Sequence, residues 1–281
     1  IHVGSTYLAD QSIAEQAVSI AHHAFVGWNT TPVEKRAAML DKSADLLEEH
    51  RSELIALCHL EAGKTLQDAI DEVREAVDFC RYYAHQARHN FAAALQLDGP
   101  TGESNELYLQ GKGVFVCISP WNFPLAIFAG QIMAALVAGN TVIAKPAEQT
   151  SLIAARAVEL FHQAGISGKV LQLVPGLGSQ VGPVLTSDER IAGVAFTGST
   201  ETAQRINRSL AARNGAIATL VAETGGQNAM IVDSTALPEQ VIKDVVASAF
   251  TSAGQRCSAL RVLFLQEDVA DNMLQLLKGA M

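Results

Sequence analysis

From Gly113 onward, short apolar runs alternate with segments of helical spacing, and no other feature limits the fold as tightly. Residues 114–118, 141–144, 170–174, 194–196 and 218–222 read as strands, with a sixth at 229–232. Helices fall between the first five, at 125–138, 152–163, 180–185 and 201–212. Parallel strands need a crossover long enough to hold a helix, and the crossovers cover both faces of the sheet. The spacing therefore predicts an α/β fold with a Rossmann-like parallel sheet. A chain that is 49% apolar and only 17% charged suits such a doubly covered sheet and excludes disorder.

Two further regions flank this core. Residues 12–91 carry helical spacing, many ion pairs and few β-branched residues, which predicts a helical section over 1–98. The loop Gly99-Pro100-Thr101-Gly102 and the alternating run at 106–110 then mark a β-segment over 101–112. After residue 232 a turn at 234–238 leads into a helix at 239–252, a small-residue loop at 253–258, a strand at 261–265 and a helix at 269–278. Met273, Leu274 and Leu277 share a face of that last helix, and no later element follows to cover them. The second unit reads as unfinished, and Ile1 in place of a methionine reads as a cut end.

Charge and cysteine usage remove several function classes. Lys plus Arg number 20 against 29 Asp plus Glu, a net charge of −9, so a phosphate backbone or an acidic membrane surface would on average repel the chain. The 17-residue run 123–139 is too short for a span, is interrupted by Gln131, and predicts a buried helix. Cys58, Cys80, Cys117 and Cys257 form no Cys-x-x-Cys pair, which argues against a zinc site or a redox dithiol. His85 and His89 lie four apart on one helix without a third ligand, so no metal is assigned. The absence of a secretory leader pattern and the unpaired cysteines predict a cytoplasmic protein.

Several residues have a chemistry worth weighing. Gly176-Leu177-Gly178 is followed by its third glycine, Gly182, one position late for a dinucleotide fingerprint, and a loop turn explains it equally well. Gly198 and Ser199 stand where a strand ends and a helix starts, so backbone N–H groups there could hold a pyrophosphate, or Ser199 could simply cap the helix. Lys145 and Glu148 lie just beyond a strand's carboxyl end, where they could grip ribose hydroxyls or form a plain ion pair. Asn122, between Pro120 and Pro124, could donate to an oxyanion or serve a structural turn. Glu223, next to Gly225-Gly226, could act as a base on water. Cys257 is the sharpest candidate nucleophile, in a small-residue loop beside Arg256, although most lone cysteines are only buried packing. Seven of the eight histidines precede residue 90, so a Cys-His hydrolase is less economical.

Taken together, five ordered motifs resemble the aldehyde dehydrogenase superfamily. They are Pro120-Trp121-Asn122-Phe123-Pro124, Lys145-Pro146-Ala147-Glu148-Gln149-Thr150, Phe196-Thr197-Gly198-Ser199, Glu223-Thr224-Gly225-Gly226-Gln227-Asn228 and Gly254-Gln255-Arg256-Cys257-Ser258. The wording at 99–107 and 254–261 is similar to the L-glutamate γ-semialdehyde dehydrogenase module of the bifunctional proline utilization A family. The resemblance implies NAD-dependent oxidation of that semialdehyde to glutamate, the second step of proline catabolism. It implies that Cys257 is the nucleophile, Asn122 an oxyanion donor and Glu223 the base for thioester hydrolysis. Lys145 and Glu148 would contact the adenosine ribose, with Ser199, Gly198 and Trp121 near the pyrophosphate. Ser258 and Phe123 would contact the substrate. Glu148 near the ribose leans towards NAD over NADP, since a carboxylate repels a 2′-phosphate.

Residues 1–232 would then be the NAD-binding domain, with the β-segment 101–112 serving oligomers, and 233–281 the start of the catalytic domain. The resemblance also implies a homo-oligomeric longer protein whose proline dehydrogenase module, with its FAD, precedes this segment. Gln227-Asn228 departs from the Lys-Asn or Lys-Ser commoner in the family. A fragment of such an enzyme is expected to be impaired. Other readings fit the residues: a noncatalytic nucleotide-binding or assembly module, another aldehyde dehydrogenase, and a thiol esterase using Cys257 and Glu223.

Overall fold

A computed structural model describes residues 2–281, which divide into two compact units after Glu223. The first unit opens with four helices, α1 (Gln11–Asn29), α2 (Val33–Glu49), α3 (Arg51–Ala62) and α4 (Leu66–Asn90). Local chemistry sets their ends. Asp10 accepts from the Ile13 N–H at 2.9 Å, Thr65 accepts from the Asp68 N–H at 3.1 Å, and α3 stops at Gly63, whose φ of 66° suits a residue without a side chain. Along α4 the buried residues Ala69, Val73, Ala76, Val77, Cys80, Ala84 and Ala87 recur at three- and four-residue intervals, as an amphipathic helix requires.

A small antiparallel hairpin follows, β1 (Leu95–Leu97) with β2 (Asn105–Leu107). The helical section thus ends at Asn90, and β1 lies inside the span expected to be helical. Three residues of strand leave almost no alternation to read in a sequence. Leu95, Leu97 and Leu107 are exposed on this hairpin.

The sheet then forms from β3 (Val114–Ile118), β4 (Thr141–Lys145), β5 (Leu171–Leu173), β6 (Ile191–Gly198) and β7 (Thr219–Thr224), in the order β5-β4-β3-β6-β7. The β5–β4, β4–β3 and β3–β6 pairs are parallel. The crossovers are α5 (Ala126–Val137), α6 (Ser151–Gln163), α7 (Gly178–Ser187) and α8 (Thr200–Ala211). Strand residues alternate between two cores, as a sheet buried on both faces demands. Val114, Val116 and Ile143 pack with α1, α7 and α8, whereas Cys117, Val142 and Ala144 pack with α2 through α6. The expected Rossmann-like sheet is present.

Helix α5 is apolar on nearly every side and is buried between the sheet and α4. A Cβ on Gly130 would lie 3.0 Å from the Phe79 ring, so this glycine permits the close approach of α5 to α4. The ends of α5 receive partners from the helical section. Glu72 accepts from the Leu125 and Ala126 N–H groups at 3.1 and 2.9 Å, while Trp28 donates to Leu136 O at 2.9 Å and Arg36 to Val137 O at 3.0 Å. Glu61 does the same for α6, accepting from Leu152 and Ile153 at 2.7 and 2.9 Å.

The second unit contains β8 (Asn228–Val232), α9 (Pro238–Phe250), β9 (Leu260–Leu265) and α10 (Glu267–Ala280). Strand β8 pairs in parallel with β9, not with β7, so the unit begins at Thr224 and not after residue 232 as the sequence suggested. An apolar run shows that a strand exists but not which edge it joins. The helix expected to reach Ser252 ends at Phe250, followed by a 3₁₀ turn over Thr251–Gly254. Met273 is covered after all. It closes with Val232, Val241, Val245 and Leu260 into a small core that Leu277 flanks, while Leu274 and Leu276 face outward. Among the described residues no helix is long and apolar enough to cross a membrane.

Burial pushes the Glu61 carboxyl above its ordinary value of 4.5, against the pull of its two backbone donors. A raised folded pKa means that the stabilising contribution is full below that ordinary value and declines as pH rises through the folded one. The margin by which the wild type exceeds Glu61→Gln in urea midpoint should therefore narrow from about pH 4 to about pH 8. A margin that widens with pH would contradict this account of the α6 cap.

Candidate active site

In the first unit the expected residues cluster at strand ends. Beyond β3 the two prolines frame a turn, and α5 begins directly after it. Trp121 is exposed, and Asn122 and Phe123 are half-buried. The ammonium of Lys64 sits 4.9 Å from the centre of the Phe123 ring and 3.5 Å from Glu72 Oε1. Lys64 and Glu72 are both buried, and Glu72 also caps α5. Burial pushes the Glu72 carboxyl up, against the pull of Ala126 N–H and Lys64. This turn is thus fixed by a cation over a ring, from the loop between α3 and α4, and by a carboxylate from α4 on the helix that follows. Sequence reasoning passed over both residues, because a buried Lys–Glu pair in a charge-rich helical section reads like a surface pair.

Beyond β4, Lys145 is 5% exposed, with its ammonium 3.4 Å from Glu148 Oε1 and donating to Pro146 O at 3.1 Å. Burial lowers the Lys145 pKa, and Glu148 opposes that fall. Burial acts to raise the Glu148 pKa, but the Gly178 N–H, donating at 2.6 Å, and Lys145 outweigh it and hold the carboxyl below its ordinary value. The irregular glycine stretch therefore has a structural task, bringing the start of α7 onto Glu148. A cleft of about 690 Å³ opens here, lined by Lys145, Glu148, Ser179, Thr202 and Ile206 among others. That volume lies in the range of small-molecule sites, and the carboxyl ends of parallel strands are where such folds take ligands.

At the end of β6, a Cβ on Gly198 would lie 2.6 Å from the Phe196 ring, so the glycine answers a close approach. Ser199 takes the capping role: its Oγ accepts from the Thr202 N–H at 3.2 Å and donates to Thr202 Oγ1 at 3.0 Å. Gln131 ties α5 to this strand end by donating to Thr197 Oγ1 at 2.9 Å. Glu223 is exposed on β7. Among the described residues no group of three or more His, Cys, Asp or Glu could hold a metal ion.

Cys257 and Ser258 belong to the second unit, both exposed on the loop before β9. The approach to this loop is conformationally unusual: Ser252 and Ala253 both have φ of 55°, and Gly254 has φ of 69°. A left-handed conformation costs a residue with a Cβ roughly 1–2 kcal/mol, so the surroundings must over-determine it. Asn228 and Arg261 hold the loop, Asn228 donating to Cys257 O and Ala259 O at 2.6 and 3.0 Å, and Arg261 donating to Gly254 O at 2.7 Å. Neither was singled out as a functional residue from the sequence, although both lie within the quoted wording.

Comparison with known proteins decides the family. A family model described as the aldehyde dehydrogenase family matches residues 2–281. The chain belongs to the aldehyde dehydrogenase family. It is 54% identical over 276 residues to the bifunctional protein PutA of Salmonella typhimurium, covering 97% of this chain and 20% of that protein. The chain spans about a fifth of the length of the PutA relatives it matches. A crystal structure of proline utilization A from Bradyrhizobium japonicum is 59% identical and superposes with a TM-score of 0.95, over 98% of this chain and 28% of that one. The 1-pyrroline-5-carboxylate dehydrogenase from Thermus, solved with bound NAD, is 38% identical with a TM-score of 0.94, over 99% of this chain and 54% of that one.

Among the four cysteines, Cys58, Cys80 and Cys117 are buried and only Cys257 is exposed. Burial pushes the Cys58 and Cys80 thiols up to about 12, and raises Cys117 as well. Iodoacetamide should therefore label Cys257 alone in the native protein and all four after denaturation, as read by peptide mass mapping. Labelling of Cys117 under native conditions would refute the packing described for β3.

Proposed function

We propose that this chain contributes the nucleophile and the nucleotide site for NAD-dependent oxidation of L-glutamate γ-semialdehyde to L-glutamate. The observation that carries the reading is Cys257, an exposed thiol on a loop whose carbonyls are held by two side chains, in a chain of this family. Relatives named bifunctional PutA and 1-pyrroline-5-carboxylate dehydrogenase support the choice of aldehyde.

In this reading the Cys257 sulfur adds to the aldehyde carbon. The oxyanion so formed is held by the Asn122 side-chain amide and the Cys257 backbone N–H, which places donors where charge develops. NAD, when bound, accepts the hydride that leaves this carbon, and a thioester on Cys257 remains. Glu223 takes a proton from water as the water oxygen attacks the thioester, and the sulfur departs as thiolate. The aldehyde carbon is oxidised by two electrons, and one water oxygen ends in the carboxylate. Ser258 would donate to the substrate's α-carboxylate, and Phe123 would lie along its methylene groups.

The residues of the first-unit cleft fit a dinucleotide. Glu148 and Lys145 offer an acceptor and a donor for ribose hydroxyls, and Ile206 and Leu185 give an apolar wall for a planar base. We assign the pyrophosphate to the start of α8, at Gly198 and Ser199, with Trp121 as a neighbour. The Glu148 carboxylate, ionised at neutral pH, disfavours a 2′-phosphate and so favours NAD over NADP.

The test is NADH formation from the semialdehyde. Cys257→Ala should abolish it, and Asn122→Ala should lower kcat about 100-fold or more, the usual effect of losing one oxyanion donor. Glu223→Gln should release NADH once and then stall, leaving an acyl adduct visible in the intact mass. Glu148→Ala should raise the NAD KM roughly tenfold with kcat little changed. NADH formation persisting in Cys257→Ala would overturn the proposal, and ester cleavage without NAD would favour a thiol esterase.

A further inference from the structure

The loop that carries Cys257 has little packing of its own, since Gln255, Cys257 and Ser258 are all exposed. Its hydrogen bonds therefore decide its shape. Two are turn bonds, from Gln255 N–H to Ser252 O at 3.0 Å and from Ala259 N–H to Arg256 O at 3.1 Å. Three more come from side chains. One Nδ2 group of Asn228 donates both to the carbonyl of Cys257 itself and to that of Ala259, and the Arg261 guanidinium donates to Gly254 O.

Sheet register explains why these side chains reach the loop. Asn228 opposes Leu260, but the next residue, Ala229, opposes Val262, so Arg261 is an extra residue on β9. A bulge of this kind takes a side chain out of the strand's alternation and re-aims it. Here the bulge accompanies a guanidinium turned back to the left-handed turn at 252–254. A Cβ on Gly254 would lie 2.7 Å from Ala249 O, so the turn admits no side chain at this position.

We propose that Asn228 and Arg261 are positioning residues for the nucleophile: the Asn228 amide fixes the peptide plane after Cys257, and bulged Arg261 anchors the turn before it. The proposal rests on the function assigned above, since it takes the Cys257 N–H as an oxyanion donor. Holding the Cys257 carbonyl limits rotation about that residue, so its thiol and N–H keep one direction through the reaction. Preorganised donors of this sort need no rearrangement when charge develops. An amide is required because both acceptors are carbonyl oxygens. An Asp of the same shape would present a carboxylate to two carbonyl dipoles and offer no donor.

Two measurements test this on the 281-residue chain, one independent of turnover. Hydrogen exchange should show the amides of residues 255–259 exchanging at least ~10-fold faster in Asn228→Ala, a loss of protection of about 1.4 kcal/mol, with β8 and α9 unchanged. Unchanged exchange in the loop would overturn the clamp, whatever the reaction proves to be. In aldehyde oxidation, Asn228→Asp should lose more kcat than Asn228→Ala despite its closer shape, with the NAD KM unaltered. Should the Asn228 variants not fold, the Arg261 pair decides. Arg261→Lys keeps a donor for Gly254 O and should recover most of the kcat and loop protection lost in Arg261→Met. Equal losses in Lys and Met, or Asp equal to wild type, would overturn the positioning role. A 281-residue chain that turns over no aldehyde meets the impairment expected of a fragment, and the exchange data then judge the clamp by themselves.

Discussion

A helix that is apolar on all sides can exist in water only when buried, and burying it strands the peptide groups at both of its ends. Helix α5 meets that constraint through the helical section. Glu72 receives two N–H groups at its start, and Trp28 and Arg36 donate to two carbonyls at its finish. The signs also match the helix dipole, with a carboxylate at the positive end and a guanidinium at the negative end. The turn that bears Trp121, Asn122 and Phe123 runs directly into this helix. Whatever fixes α5 therefore fixes the direction in which Asn122 leaves β3, so α1, α2 and α4 act on that turn without contributing a nucleophile or a base.

The parallel sheet supplies the second half of that arrangement. With β3 bonded to β4 on one side and β6 on the other, Ile118, Lys145 and Phe196 stand in register, each near a strand's carboxyl end. Side chains just past those ends converge on one edge without any long-range instruction beyond strand pairing. Lys145 and Glu148 show what that convergence costs and how it is offset. Burial disfavours the charge on both, and an N–H from the start of α7 then holds the carboxylate ionised. The misaligned glycine stretch, read as a fingerprint, explains nothing. Read as the turn that delivers Gly178 to Glu148, it is part of the cleft.

What the sequence revealed followed from periodicity and local chemistry. Strand and helix positions from β3 to α8 were legible because a doubly buried sheet forces apolar runs and its crossovers force helical spacing. The loop that carries Cys257 was legible from its small residues, and the family from five ordered motifs. Three things were hidden for physical reasons. The partner of β8 could not be read, since an apolar run looks the same beside β7 as beside β9. Strand β1, three residues long, was too short to show alternation, although its partner β2 lies within the expected β-segment 101–112. The side chains that fix the site, Lys64, Glu72, Asn228 and Arg261, act across gaps in sequence, and their bonds depend on tertiary placement that composition does not encode.

The turn after β3 and the loop before β9 are stabilised by different means, and the difference follows from their surroundings. The turn after β3 borders a large core, so a buried ion pair and a ring can hold it. The loop before β9 borders a small core of five buried residues, Val232, Val241, Val245, Leu260 and Met273. Apolar packing there is too slight to define a backbone that passes through three left-handed residues in succession. Hydrogen bonds from an amide and a guanidinium take over that task, leaving the sulfur itself exposed to solvent. A loop buried deeply enough to be fixed by packing would have covered Cys257, whereas one held by hydrogen bonds leaves it open to solvent. The bulge at Arg261 accompanies that arrangement, with its guanidinium turned back to the Gly254 carbonyl.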